Sequence, residues 1–126
     1  MLFNNETDYA IRIVSCLAER AQKTDAGTVA ELTGVTPQFT LKILRRLMSA
    51  DIVKSYKGAQ GGYALSRNPG EITLLQVVET INGPIAVSRC QHSISECTHP
   101  KGICSYREVF SDVSDYMREK LRSVTF

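Results

Sequence analysis

At 126 residues the chain has room for one domain, or one domain with an extension. Hydrophobic residues make up 43% and charged residues 22%, an ordinary globular balance, and no apolar run nears the ~20 residues a membrane-spanning helix needs. The opening MLFNNETDYAIRI lacks a basic region followed by an apolar stretch, so no secretory signal is expected and the expected location is cytoplasmic.

The net charge of +2 is unevenly distributed. Residues 1–35 are net −2 and residues 68–126 net −1. Residues 36–67 carry Lys42, Arg45, Arg46, Lys54, Lys57 and Arg67 against Asp51 alone. A basic segment of this kind is either a solvated helix face or the footprint of a polyanion, and charge by itself does not separate the two.

Helical spacing of Tyr9, Ala10, Ile13, Val14, Leu17, Ala18 and Ala21 predicts a first helix over 6–22, with Cys16 as a small core or half-buried residue. Thr28-Val29-Ala30-Glu31 reads as a capping box opening a short second helix that ends at Gly34-Val35. Thr36 followed by Pro37 is a strong start for a third helix reaching about Ala50. Its Thr40, Ile43, Leu44 and Leu47 face inward, and Gln38, Lys42, Arg45 and Ser49 form the opposite stripe. Two helices joined by a short glycine-containing turn make a helix-turn-helix.

The following segment strengthens that reading. Residues 52–56 have strand character, 57–62 are a glycine-rich turn with Lys57 and Gln60, and 63–66 form a second short strand. A basic, glycine-rich hairpin after the second helix of such a motif is a wing. The expected fold is therefore mainly α: a winged helix-turn-helix with a small β-hairpin wing. In the DNA-binding motif the second helix enters the major groove. This assigns that groove to the third helix near Thr36, Gln38, Thr40 and Lys42. Arg45, Lys54 and Lys57 are expected on phosphate, and Gln60 at a minor groove from the wing tip.

Asn68-Pro69-Gly70 breaks the chain, and Thr73 with Gln76 forms another capping box ahead of Leu74, Val77, Val78 and Ile81. Asn82-Gly83-Pro84 stops that helix. A last helix is expected from about Ser105 to Ser123. Its Tyr106, Phe110, Val113, Met117, Leu121 and Val124 follow a near-heptad seam, the pattern of a dimerisation helix pairing with a partner chain or, alternatively, folding back onto the first helix. These boundaries divide the chain into a DNA-binding domain at 1–83, a cysteine-rich loop at 84–104 and a dimerisation helix at 105–126.

Three of the four cysteines lie in that loop, as Cys90, Cys97 and Cys104, with six residues in each gap. His92, His99, Pro100 and Gly102 share the stretch, and no apolar periodicity runs through it. Thiolates clustered on a loop are ligands for iron–sulfur clusters, zinc or copper, and an odd number cannot pair off as disulfides within the loop. Zinc held with His92 or His99 is the main rival to an iron–sulfur cluster, although structural zinc sites usually contain a close cysteine pair and none is present. A metal-free thiol switch is the third reading. No Ser/His/Asp set, paired acid–base carboxylates or nucleotide-binding loop is recognisable, so no enzymatic activity is expected.

The stretch Thr7-Asp8-Tyr9-Ala10-Ile11-Arg12, the wing from Lys57 to Gly62 with Tyr63, the segment Ile72-Thr73-Leu74 through Ile81-Asn82-Gly83 and the three-cysteine loop, taken in that order, resemble the Rrf family of bacterial winged-helix regulators, which includes iron–sulfur transcription regulators. The resemblance spans essentially the whole chain. It implies a homodimer crossed through the C-terminal helix, palindromic double-stranded DNA bound by the third helix and wing, and an iron–sulfur cluster, 2Fe–2S or 4Fe–4S, on Cys90, Cys97 and Cys104. Some family members supply a histidine three residues after the last cysteine, where this chain has Arg107. Others supply an aspartate near the start of the first helix from the partner subunit, and Asp8 stands in that place. The resemblance therefore points to Asp8 as fourth ligand, with Glu6, a histidine or an external small molecule as alternatives.

Overall fold

A computed structural model describes residues 3–20, 22–88 and 105–126. Helix α1 spans Asn5–Glu19, α2 Ala26–Thr33 and α3 Pro37–Ser49. The hairpin β1 (Val53–Tyr56) and β2 (Gly62–Leu65) follows, then a short 3₁₀ turn at Pro69–Glu71, α4 (Leu74–Asn82) and α5 (Arg107–Arg122). The expected winged helix-turn-helix is present.

Local chemistry accounts for most boundaries. The Asn4 side chain accepts from the Thr7 amide at 2.9 Å and opens α1, which ends at Glu19, earlier than the apolar pattern predicts. Thr36 accepts from the Phe39 amide at 3.4 Å with Pro37 in the first turn of α3. Thr73 and Gln76 form the reciprocal capping box read from sequence, and Gly83 closes α4.

The start of α2 differs from expectation. Its cap is Asp25, whose carboxylate accepts from the Thr28 amide at 3.0 Å and the Thr28 hydroxyl at 2.6 Å. Thr28 and Glu31 lie inside the helix, and Gly27 is in its first turn rather than before it. Directly before this cap, Thr24 pairs with the wing. The Thr24 amide donates to the Tyr63 carbonyl at 2.9 Å, and the Tyr63 amide donates back at 2.8 Å. This bridge lies beside the antiparallel hairpin, whose register pairs Val53 with Leu65 and Tyr56 with Gly62.

Ile13 and Val14 of α1, Ile43, Leu44 and Leu47 of α3, Ile52, Val53, Ile72 and the α4 residues Val77 and Ile81 form the main core. Each fully buried aliphatic side chain contributes about 1.5–3 kcal/mol relative to exposure. That burial pins α3 against α1 and α4, so its opposite stripe stays outward. In the second helix, Val29 and Ala30 are buried, but Leu32 is exposed.

The C-terminal helix does not lack an intramolecular partner. Met117 and Leu121 pack against Leu75, Val78 and Ile85, so α5 lies on α4 rather than standing away from the domain or folding onto α1. Beyond α5 the chain rejoins the domain. The Leu74 amide donates to Val124 at 2.8 Å, the Phe126 amide donates to Ile72 at 3.2 Å, and the Phe126 ring packs on the main core. No described helix is long and apolar enough to cross a membrane.

Candidate nucleic-acid interface

The core-facing side of α3 determines what its other side can present. Gln38, Lys42, Arg45 and Ser49 are exposed, as the stripe predicts, and so is the cap residue Thr36. Thr40 is not. It is 0% exposed, and its hydroxyl donates to the Val35 carbonyl at 3.5 Å. Its place on the inward face with Ile43, Leu44 and Leu47 removes its side chain from the reading surface. Leu41 is exposed instead, three residues after Gln38 and four before Arg45, on the same side of the helix. A leucine among polar stripe residues is the signal that sequence reading passed over. Phe39 is also exposed and packs on Tyr9 with ring centroids 5.7 Å apart.

The cations of α3 differ in their freedom. Arg45 forms no ion pair within the described residues, whereas Lys42 binds Glu6 at the start of α1. Arg46 also reaches Glu6, at 3.2 Å, and donates to the carbonyls of Thr80 at 3.2 Å and Ile81 at 2.8 Å. It therefore caps the end of α4 and is a structural residue. The hydrogen bond from Lys42 is the main cause holding the Glu6 carboxyl below its usual pKa, with the positive charges of Lys42 and Arg46 adding to it.

On the wing, alternation along β1 turns Val53 into the core and puts Lys54 and Tyr56 on the opposite, outer face. Lys57 and Gln60 are exposed in the turn. Gly58 has φ +102°, and a side chain on Gly61 would strike the Tyr56 carbonyl at 2.3 Å. The tight tip therefore requires glycine at both positions. Lys54, Lys57, Gln60 and the α3 stripe are the exposed basic and polar groups of one helix-turn-helix and its wing.

The remaining predicted site residues fall in two groups. Asp8 is in the first turn of α1, with an exposed carboxylate paired to Arg12 at 2.7 Å. Arg12 also donates to the Thr33 carbonyl at the end of α2, at 3.4 Å. Cys90, Cys97, Cys104, His92 and His99 lie outside the described residues. Cys16, half-buried on α1, has its thiol pKa pushed up by burial and is a packing residue.

The profile of the Rrf2 family, described as an iron-dependent transcriptional regulator, matches residues 3–126. The chain belongs to the Rrf2 family. Among relatives, an rrf2-like HTH-type transcriptional regulator of Rhodobacter capsulatus is 30% identical over 121 residues, covering 89% of this chain and 81% of the relative. An HTH-type transcriptional regulator of Mycobacterium tuberculosis is 36% identical over 91 residues, or 71% of this chain. That match spans only 56% of the Mycobacterium protein, little more than half its length. The structure of CymR, the global cysteine regulator of Bacillus subtilis, superposes with a TM-score of 0.78 at 26% identity, covering 98% of this chain and 91% of that one. IscR of T. potens superposes with the same TM-score at 23% identity, covering 97% and 80%, and supports the shared fold. These Rrf2 relatives are transcriptional regulators, not enzymes, in line with the absence of catalytic motifs from the sequence.

Proposed function

We propose that this Rrf2 protein is a cytoplasmic, homodimeric regulator that binds palindromic double-stranded DNA and carries its own sensor in the cysteine loop. The observation that carries the DNA reading is the exposed α3 stripe of Gln38, Leu41, Lys42 and Arg45 beside a basic wing with Lys54, Lys57 and Gln60. The first residues of α3, from Thr36 and Gln38, read base edges in the major groove. Arg45, Lys54 and Lys57 bind phosphate, and Gln60 reaches a minor groove.

The sensor reading rests on donor chemistry. Three thiolates in one loop suit an iron–sulfur cluster, and the carboxylate of Asp8, exposed in the first turn of α1 and paired with Arg12, would exchange that pairing for a partner subunit's loop. Cys90, Cys97 and Cys104 would hold the cluster, with Asp8 of the partner subunit as fourth ligand. When bound, the cluster supplies an oxidation- and nitric-oxide-sensitive group. A carboxylate is a harder and weaker ligand than thiolate for such a cluster, so the bond to Asp8 would be the labile one.

The deciding experiment is a visible absorption spectrum with iron and sulfide counts on protein purified without oxygen, alongside duplex binding. A coloured protein with matched iron and sulfide supports the cluster reading, provided Cys90→Ala, Cys97→Ala and Cys104→Ala are each colourless. Asp8→Ala should retain a cluster with altered spectrum or faster loss in air. A colourless wild type holding stoichiometric zinc selects a three-cysteine zinc site with His92 or His99. A colourless, metal-free protein whose DNA binding responds to oxidant selects a thiol switch.

A further inference from the structure

The connection between α1 and α2 brings a lysine to the wing. Lys23 precedes Thr24, the residue that bridges to Tyr63 of β2 through two backbone hydrogen bonds. Arg20 braces the same turn, its Nε donating to the Thr24 hydroxyl at 3.0 Å. The approach is close because Gly62 intervenes: a side chain there would meet the Thr24 backbone at 2.8 Å. The Lys23 ammonium crosses this strip and lies 4.1 Å from the centroid of the Tyr56 ring.

Tyr56 belongs to the outer face of the hairpin, one residue before Lys57. Beside it is a groove of about 610 Å³ lined by Gln22, Lys23, Tyr56, Gln60, Gly61 and Ala64. None of these residues is acidic. The groove joins the connection before α2 to Gln60 and Gly61 of the wing tip, so Lys23 is carried with the part of the wing assigned to DNA. A ring under the ammonium limits its wandering through cation–π attraction and leaves its solvent side open to an anion.

We propose that Lys23 is a DNA phosphate contact of the wing, although it lies outside both the helix-turn-helix and the hairpin, and that Tyr56 is its positioning residue. This inference rests on the DNA-binding reading above. The contact is sequence-independent, because a lysine on a phosphate carries no base information. It adds a cation to Lys54 and Lys57 at the wing and lengthens the basic track beyond α3.

The test is binding of the full chain to a mixed-sequence DNA duplex across a salt series. Lys23→Ala should weaken binding about three- to tenfold at low salt and lower the slope of log affinity against log salt by about 0.9, the share of one phosphate. Lys23→Arg should restore both. Tyr56→Leu should produce a smaller loss. The Lys23→Ala, Tyr56→Leu double variant should bind no worse than Lys23→Ala, because the ring acts through the ammonium. Thermal melting of Lys23→Ala should match wild type, since the Thr24–Tyr63 bridge is made by backbone. If Lys23→Ala keeps the wild-type affinity and salt slope, or loses affinity with the slope intact, the phosphate contact is wrong while DNA binding stands. A wild-type chain that binds no duplex overturns both readings.

Discussion

Glu6, at the start of α1, grips Lys42 on the exposed stripe of α3. The pair links the N-terminal helix to the helix assigned to the major groove, and Arg46 joins it from the next turn. Glu6 thereby offsets part of the positive charge that the interface presents. Glu6→Gln should free Lys42 and raise affinity for mixed-sequence DNA at low salt, while lowering stability by up to about 1 kcal/mol at neutral pH. The pH response follows from the lowered pKa. The stability Glu6 supplies is complete above the ordinary carboxyl value of 4.5 and fades as pH falls through the lower folded value. The melting-temperature gap between wild type and Glu6→Gln should therefore begin to close as pH falls below 4.5. A constant gap from neutral to acid pH would show that the ionised pair is not the source.

Base reading and phosphate binding should separate by mutation. Gln38→Ala should change operator preference by about 1–3 kcal/mol at one position. Lys57→Ala should weaken all sequences alike and flatten the salt dependence by about one phosphate. Measured on a panel of single-base operator variants, identical profiles for both mutants and wild type would remove α3 and the wing from the interface. Thr40→Ser should leave operator preference unchanged, because that hydroxyl faces Val35 inside the protein.

Helix α5 has two apolar faces with different tasks. Met117 and Leu121 pack on α4, whereas Tyr106, Val109, Val113 and Tyr116 are exposed at spacings of three, four and three residues. That exposed row has the period of a seam between helices. Val109→Asp with Val113→Asp should yield a folded monomer in sedimentation, with half-sites bound weakly, because unpaired charge in an apolar interface is costly. Met117→Asp should instead lower the melting temperature by placing a charge against Leu75, Val78 and Ile85. A wild-type protein that is monomeric at micromolar concentration would refute the seam.

The wing hangs on Gly62. Its φ of +149° and the 2.8 Å approach to Thr24 leave no room for a methyl group. Gly62→Ala should cost about 1–3 kcal/mol of stability and weaken DNA binding of every sequence, because the bridge that anchors the hairpin must open. Faster hydrogen exchange at the Thr24 and Tyr63 amides would locate the damage. Unchanged exchange at both would show that the bridge absorbs the extra atom.

The helix-turn-helix, the wing and the caps at Thr36 and Thr73 were legible in the chain, because a cap, a proline in a first turn or a glycine turn depends on residues within a few positions of one another. The same local logic erred at α2. Asp25 and Thr28 are both good caps; the helix is capped at Asp25, directly after Thr24, whose pairing with Tyr63 is a contact made across the fold. Periodicity placed Thr40 inward with its leucines, while its nearness to Gln38 and Lys42 suggested groove contact; its full burial, with the hydroxyl on the Val35 carbonyl, decided the matter. The C-terminal helix revealed an apolar seam in sequence, but one stripe cannot say which of its residues meet the same chain. Packing against Leu75, Val78 and Ile85 took Met117 and Leu121 and left Val109 and Val113 outside. The pairs Glu6–Lys42 and Lys23–Tyr56 had no signature in the chain, since their partners lie more than thirty positions apart and meet only after the shared core brings the elements that carry them together.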